Sequence, residues 1–301
     1  MQLLVFIVAY PFLWVVSRLP FSIIYGISDV VFYLVYHVVR YRRKVVRENL
    51  MLVFPEKDTS QIEKIGKDFY KHMCDMFLEM IKTMGISKTE MLKRFQCENI
   101  ALLQQYESQG RSTIVMFPHY ASWEWALSLN AQLKASGYGI YQKIQNPYFD
   151  KLIRDIRSKF GTTLLQTDES TRLIARKTRE KEVFTLGIIS DQSPMHFKAK
   201  YWTDFMGITV PVHIGGEVLS KTFDLAPLFL KVQKVKRGYY RATVKCLTEE
   251  PKSVANYGIT DLFLKEPEAS IREAPEFYFW THKRWKHRHK VPEQFQKKTA
   301  T

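Results

Sequence analysis

The residues best placed to do chemistry are His119 and Glu124, which sit just past an apolar, β-branched run. Ser112–Phe117 reads as a strand, Pro118 ends it, and His119 follows at once. Glu124 falls five positions later, where a helix-forming segment begins. A hydroxyl is a poor nucleophile near neutral pH unless a base takes its proton as it attacks, and histidine is the usual base. A carboxylate on the other ring nitrogen would fix the tautomer and stabilise the imidazolium that forms. Residues five apart do not share a helix face. The pair can therefore meet only if His119 lies in the loop before the helix and Glu124 in its first turn. The unpaired backbone N–H groups of such an entrance suit an oxyanion or a phosphate. The spacing alone is weak: with 8 histidines and 30 acidic residues in 301, about one His-x4-acid match arises by chance. Only His119 makes it here, and the strand–Pro–His–helix setting favours a base over a histidine that merely packs.

Other chemistries lack their residues. No Gly-x-Ser-x-Gly elbow, Cys/His pairing or phosphate-binding glycine loop is present, so an acyl-enzyme on serine or cysteine has no sequence support. Cys74, Cys97 and Cys246 are odd in number and scattered, which suits a reducing compartment and gives neither a disulfide framework nor a metal spacing. The segment from Trp280 to His289 carries three histidines, but its arginines and lysines would repel a cation, and no metal or cofactor is expected. That basic segment either holds phosphates or an anionic membrane, or is a solvated end.

The elements that must position the pair read as a single α/β domain behind an apolar extension. Hydrophobic residues make up 46% and aromatics 14%, and the net charge is +15 from 45 Lys+Arg against 30 Asp+Glu. Such a balance points to a phosphate-rich partner. Leu3–Val16 and Phe21–Val39 are largely apolar and rich in Trp, Tyr and Phe, and Arg40-Tyr41-Arg42-Arg43-Lys44 follows. This predicts a membrane anchor with a cytoplasmic basic flank over 1–45; a buried helical hairpin is the alternative. With no basic residues before the apolar run, a signal peptide is not expected. An enzymatic domain over 46–291 and a polar tail over 292–301 complete the division. Nucleic-acid binding is suggested by charge alone, with no motif behind it.

Within that domain, Ser60-Gln61-Ile62-Glu63 has capping-box form and opens a helix with a Met-rich stripe, read as core or as a lining for an acyl chain. Strands are expected over Ser112–Phe117, Tyr138–Ile144, Thr162–Leu165 and Val183–Ile189. Helices are expected over Ala121–Ala135, closed by Gly137, then from Asn146-Pro147 to Gly161, and over Ser170–Arg179. Ala226–Val235 and Tyr239–Leu247 form a hairpin, and a last helix covers Ile259–Ala274. The alternation predicts a mainly parallel sheet flanked by helices, with reactive groups beyond the carboxyl ends of the strands, where His119, Asn146 and Asp191 fall.

In this order the residues resemble the lipid A late acyltransferases, the lauroyl/myristoyl transferase family with its glycerolipid-acyltransferase-like fold. The likeness covers nearly the whole chain. It runs from the apolar N-terminus and Arg40–Arg47 through Glu48-Asn49-Leu50 with Phe54-Pro55, His119-x4-Glu124 with Trp123, and Tyr141 with Asn146-Pro147. It continues through Asp191-Gln192 and Trp202–Gly207 to Pro275-x4-Trp280-x-His282-Lys283-Arg284-Trp285-Lys286. The resemblance implies transfer of a fatty acyl chain from an acyl carrier protein thioester to a hydroxyl of a lipid A precursor, or a related phosphorylated lipid, at the cytoplasmic face of a bacterial inner membrane. It implies His119 as base with Glu124 as its partner, and Asn146, Asp191 and Arg284 as substrate-binding positions. This chain departs at Tyr141-Gln142-Lys143, where the family usually has Tyr-Arg-Pro, so Lys143 would supply the charge of the missing guanidinium in a different geometry. It departs again at Ser193-Pro194-Met195-His196, where the family has a glycine-containing turn. Both bear on the acceptor, which leaves an aminolipid or lysophospholipid as another possible substrate. A non-catalytic membrane scaffold is the reading from a different class.

Overall fold

The computed structural model describes residues 2–296, so part of the expected tail, 297–301, lies outside them. Two apolar helices open the chain, α1 (Gln2–Arg18) and α2 (Phe21–Tyr33), the second prolonged by a π-helical turn over Leu34–Val38. Then come α3 (Arg43–Val53), the 24-residue α4 (Thr59–Lys82) and α5 (Lys88–Arg94). The sheet begins with β1 (Phe95–Cys97), followed by α6 (Ile100–Ser108), β2 (Thr113–Phe117) and α7 (Trp123–Ala126). Next are β3 (Ser136–Tyr141), α8 (Pro147–Ser158), β4 (Thr162–Gln166), α9 (Thr167–Arg179) and β5 (Phe184–Ile189). A small hairpin, β6 (Trp202–Phe205) with β7 (Ile208–Pro211), precedes α10 (Gly215–Phe223), the long hairpin β8 (Ala226–Lys236) and β9 (Tyr239–Cys246), and α11 (Gly258–Glu273).

Seven strands form one sheet in the order β1-β9-β8-β2-β5-β3-β4, flanked by helices. From β8 to β4 every pairing is parallel. Only the turn through Gly238, at φ 75°, reverses the chain and sets β9 antiparallel to β8. The sheet is thus mixed but mostly parallel. Strand β2 is central and all five of its residues are buried, as a parallel strand covered on both faces requires.

Three local expectations are corrected. The stretch expected as one helix over Ala121–Ala135 is four residues of α7 and then a 3₁₀ segment, Leu127–Gln132. Gly137 does not close it: Gly137 lies inside β3, where the Asn130 side chain packs so close that a Cβ would collide with it. The third concerns the cap of α4. Asp58, rather than Ser60, is its N-cap, accepting from the Gln61 amide at 2.9 Å while the Gln61 side chain accepts from Asp58 N–H at 3.1 Å. The Met-rich stripe of α4 is core, with Met73 and Met76 buried.

The apolar N-terminus divides its loyalties. The run Phe21–Val38 is long and apolar enough to cross a membrane, and only 11% of it is buried within the protein. Polar contacts on one side tie it down: Ser28 Oγ donates to Asp75 at 2.7 Å, and Arg237 bonds both Asp29 and Asp75. Lys82 donates to the carbonyls of Ser17 and Leu19, closing the end of α1. The cap assignment has a simple check. Asp58→Ala is expected to lower unfolding free energy by about 0.5–2 kcal/mol in urea titrations, as lost N-caps do, while Ser60→Ala leaves the midpoint in place.

Candidate active site

The geometry starts from strand register. β2 and β5 run parallel with Phe117 opposite Ile189. His119 lies two residues past the end of β2, and Asp191 two residues past the end of β5. Equal overhang in a parallel pair brings the two side by side: His119 Nδ1 is 2.8 Å from Asp191 Oδ1. The carboxylate on the histidine ring is therefore Asp191, 72 residues away, and not Glu124 as the spacing suggested. Both Glu124 oxygens are taken by Arg157 of α8, Nε at 2.8 Å and Nη2 at 2.5 Å, in a forked pair. Five-residue spacing puts Glu124 on the first turn of α7, but that turn faces α8 rather than the ring.

Asp191 is fully buried, yet its carboxyl is held below the ordinary carboxylate range. Burial alone would raise it; the His119 ring, by charge and hydrogen bond, and the nearby Arg284 guanidinium together outweigh that cost. An ionised acid on Nδ1 draws the ring proton to that nitrogen and leaves the Nε2 lone pair as the base. The His119 side chain is 27% exposed, so one side of this buried dyad opens outward. Phe279 stacks on the imidazole with centroids 6.1 Å apart, Trp123 meets its edge at 5.4 Å, and the two contact each other at 5.2 Å. Gln192 Nε2 lies 3.5 Å from Asp191 Oδ2 and 3.3 Å from the ring nitrogen.

The loop bearing His119 is held from behind. Phe279 N–H donates to the His119 carbonyl, Ala121 N–H donates to Phe277, and the Tyr120 hydroxyl donates to the carbonyls of Ser270 and Ala274. Ala121 is left-handed, at φ 49°, a conformation that a residue with a Cβ adopts at some cost. His72 of α4 fastens that residue: its Nε2 is 3.2 Å from the Ala121 carbonyl, and its Nδ1 is 3.2 Å from Lys234 Nζ. Burial first, and then the Lys234 charge, push the His72 pKa down to about 3, so the ring is neutral, accepting from Lys234 and donating to Ala121.

The other expected site residues fall in different places. Arg284 is buried, with one Nη donating to the Pro211 carbonyl at 3.1 Å and its charge beside Asp191, so it lies beneath the dyad rather than on an open surface. Asn146 caps α8, accepting from Tyr148 and Phe149 N–H, and Lys143 is exposed on the loop after β3. His282 is half-buried, and desolvation first, then nearby cations, pushes its pKa down to about 4; desolvation lowers that of His213 as well. Among the described residues no group of acids, cysteines and histidines could hold a metal. Sequence spacing missed His72 and Arg157. Neither sits near His119 in the chain, and only the packing of α4 and α8 against the loop reveals them.

A neutral buried histidine makes stability depend on pH. The unfolded chain binds a proton at His72 below about pH 6.5, whereas the folded ring resists until about pH 3. Its contribution is full above pH 6.5 and is lost as pH falls through that window. His72→Gln, which keeps a donor toward Ala121, is expected to flatten the fall in Tm between pH 6.5 and 4. Thermal melts across that range check it, and an unchanged slope counts against a neutral His72.

A search of the curated proteins finds no match to this chain. The family model described as bacterial lipid A biosynthesis acyltransferase matches residues 2–287, nearly the whole length, and includes every residue of the site. The protein with this outward-facing, carboxylate-bound histidine belongs to the bacterial lipid A biosynthesis acyltransferase family, and is an acyltransferase.

Proposed function

We propose that this enzyme transfers a fatty acyl chain from the thioester of acyl carrier protein to a hydroxyl of a lipid A precursor or related phosphorylated glycolipid, at the cytoplasmic face of the inner membrane. One observation supports it most: the exposed edge of His119, with Asp191 on its far nitrogen, in a chain of an acyltransferase family. His119 Nε2 takes the proton of the acceptor hydroxyl as its oxygen attacks the thioester carbonyl carbon. The tetrahedral oxyanion then collapses, the carbon–sulfur bond breaks, and the imidazolium returns the proton to the departing sulfur. Asp191 stays ionised throughout and steadies the imidazolium.

Glu124 keeps a part in this scheme by a different route from the expected one. From the start of α7 it holds Arg157 of α8 in place next to the histidine loop, where the guanidinium can meet negative charge on substrate or intermediate. Lys143 and Asn146, beyond β3, and Arg284, beneath the dyad, are proposed to shape the acceptor side. Residues 1–45 would serve as the membrane anchor for the domain over 46–291. The net charge of +15 suits both an acidic carrier protein and a phosphorylated lipid.

Mass spectrometry of total lipids, from cells with and without the gene, tests the reaction and its acceptor together. A lipid A species one acyl chain lighter is expected when the gene is absent, restored by the wild-type chain and not by His119→Ala. Loss of the general base typically costs roughly 10²–10⁴ in rate. A shift confined to an aminolipid or phospholipid would keep the chemistry and replace the acceptor. No change in any lipid class would overturn the enzymatic reading in that cell.

A further inference from the structure

A cavity of about 300 Å³ opens between the turn after α2 and the helices α3 and α4, and none of the dyad residues lines it. Its lining has two characters. Arg40, Arg43, Lys44 and Arg47 contribute four cations, against a single acid, Glu63. Val46, Leu50 and Ile62 close its floor, each no more than 2% exposed. Two of the four cations, Arg40 and Arg47, are largely unspent, while Arg43 also reaches the Tyr36 carbonyl and hydroxyl, each at 3.5 Å. Arg47 makes no hydrogen bond, ion pair or ring contact among the described residues, and Arg40 reaches only the His37 carbonyl, at 3.4 Å. Arg43 lies over the Tyr36 ring at 4.2 Å, which fixes its guanidinium at the opening. Lys44 pairs loosely with Glu48, at 3.8 Å.

Two features show that the space is built rather than left over. Arg40 and Arg42 are both left-handed, at φ 54° and 51°, in a turn with no glycine, so the chain accepts strain where the cations converge. Gly66 lies in the interior of α4 and faces the cavity, although a Cβ there would meet Leu50 and Val46 only at ordinary distances of 3.7 and 3.9 Å. Glycine is the poorest helix former after proline, and nothing around it forbids a side chain. A larger side chain there would enter the cavity.

The cavity also follows the exposed end of the apolar run Phe21–Val38, where Leu34, Val38 and Val39 point outward. A basic rim beside an apolar helix lies at the depth of lipid headgroups. We infer that this cavity binds the phosphate of an anionic lipid headgroup, with the adjoining glycerol backbone above the floor formed by Val46, Leu50 and Ile62. The site goes beyond the acyl-transfer reading and does not rest on it, since it shares no residue with the dyad.

The test titrates the full chain in neutral detergent with dihexanoyl phosphatidic acid, dihexanoyl phosphatidylcholine and inorganic phosphate. Phosphatidic acid is expected to bind more tightly than either of the others. Both Gly66→Leu, which fills the cavity and keeps every charge, and the double variant Arg43→Gln/Arg47→Gln should weaken it by about tenfold or more. Arg172→Gln/Arg179→Gln, which removes the same charge from exposed positions on α9, should leave it unchanged. If Gly66→Leu does not fold, Gly66→Ala serves, with a smaller loss in the same direction. The inference falls if Gly66→Leu or Gly66→Ala binds as the wild type does, because charge alone, or a partner lying across the surface, would then explain the binding. It also falls if both double variants lose equally, or if inorganic phosphate binds as tightly as the lipid, which would make the occupant a free phosphate.

Discussion

The site depends on one constraint, the in-register parallel pairing of β2 with β5. Parallel strands end on the same edge of a sheet, so residues with equal overhang become neighbours whatever their separation in sequence. Phe117 opposite Ile189 fixes the overhang, and His119 and Asp191 inherit it. A slip of one residue would turn one of the two side chains to the opposite face. Five fully buried residues in β2 make such a slip expensive, because each apolar side chain among them gains about 1.5–3 kcal/mol from burial. Packing thus sets the geometry of the His119–Asp191 pair.

Around the dyad the protein invests in polar support. Asp191 without solvent would normally resist ionisation, and Arg284 without solvent would resist charge; placed together, each lowers the cost of the other. Farther out, His72 connects the strained Ala121 to Lys234, and Lys234 contacts Asp75, which also receives Ser28 and Arg237. This chain of contacts runs from α2 to the histidine loop. The apolar N-terminus is bonded into the same framework that holds the His119 loop.

Much of the fold was legible in the sequence. β2, β4, β5 and the β8–β9 hairpin are β-branched or aromatic runs bounded by Gly, Pro or polar clusters, and they lie within about two residues of expectation. The segment after His119 was not: its apolar pattern suits a helix, but helical structure there is short and passes into 3₁₀ before Gly137 joins a strand. The short strand β1 carried too few residues to show a period. At the site, His119 was legible from its place after a strand and a proline. Its carboxylate was not, because Glu124 was near in sequence while Asp191 was near only in register. Asp191 falls beyond the end of its strand, and the family resemblance implies a binding position there, but its contact with the ring appears only once β2 and β5 are paired. His72 and Arg157 left no local signal, since their partners lie 49 and 33 residues away.

The central claim is that Asp191 orients the base, and turnover of Asp191→Asn with acyl carrier protein thioester tests it most directly. An amide there donates to Nδ1 and drives the ring proton onto Nε2, the nitrogen that must accept. The account predicts a loss of about 10²–10⁴ in kcat in a protein whose circular dichroism matches the wild type. A folded Asp191→Asn enzyme with a near wild-type rate would contradict it.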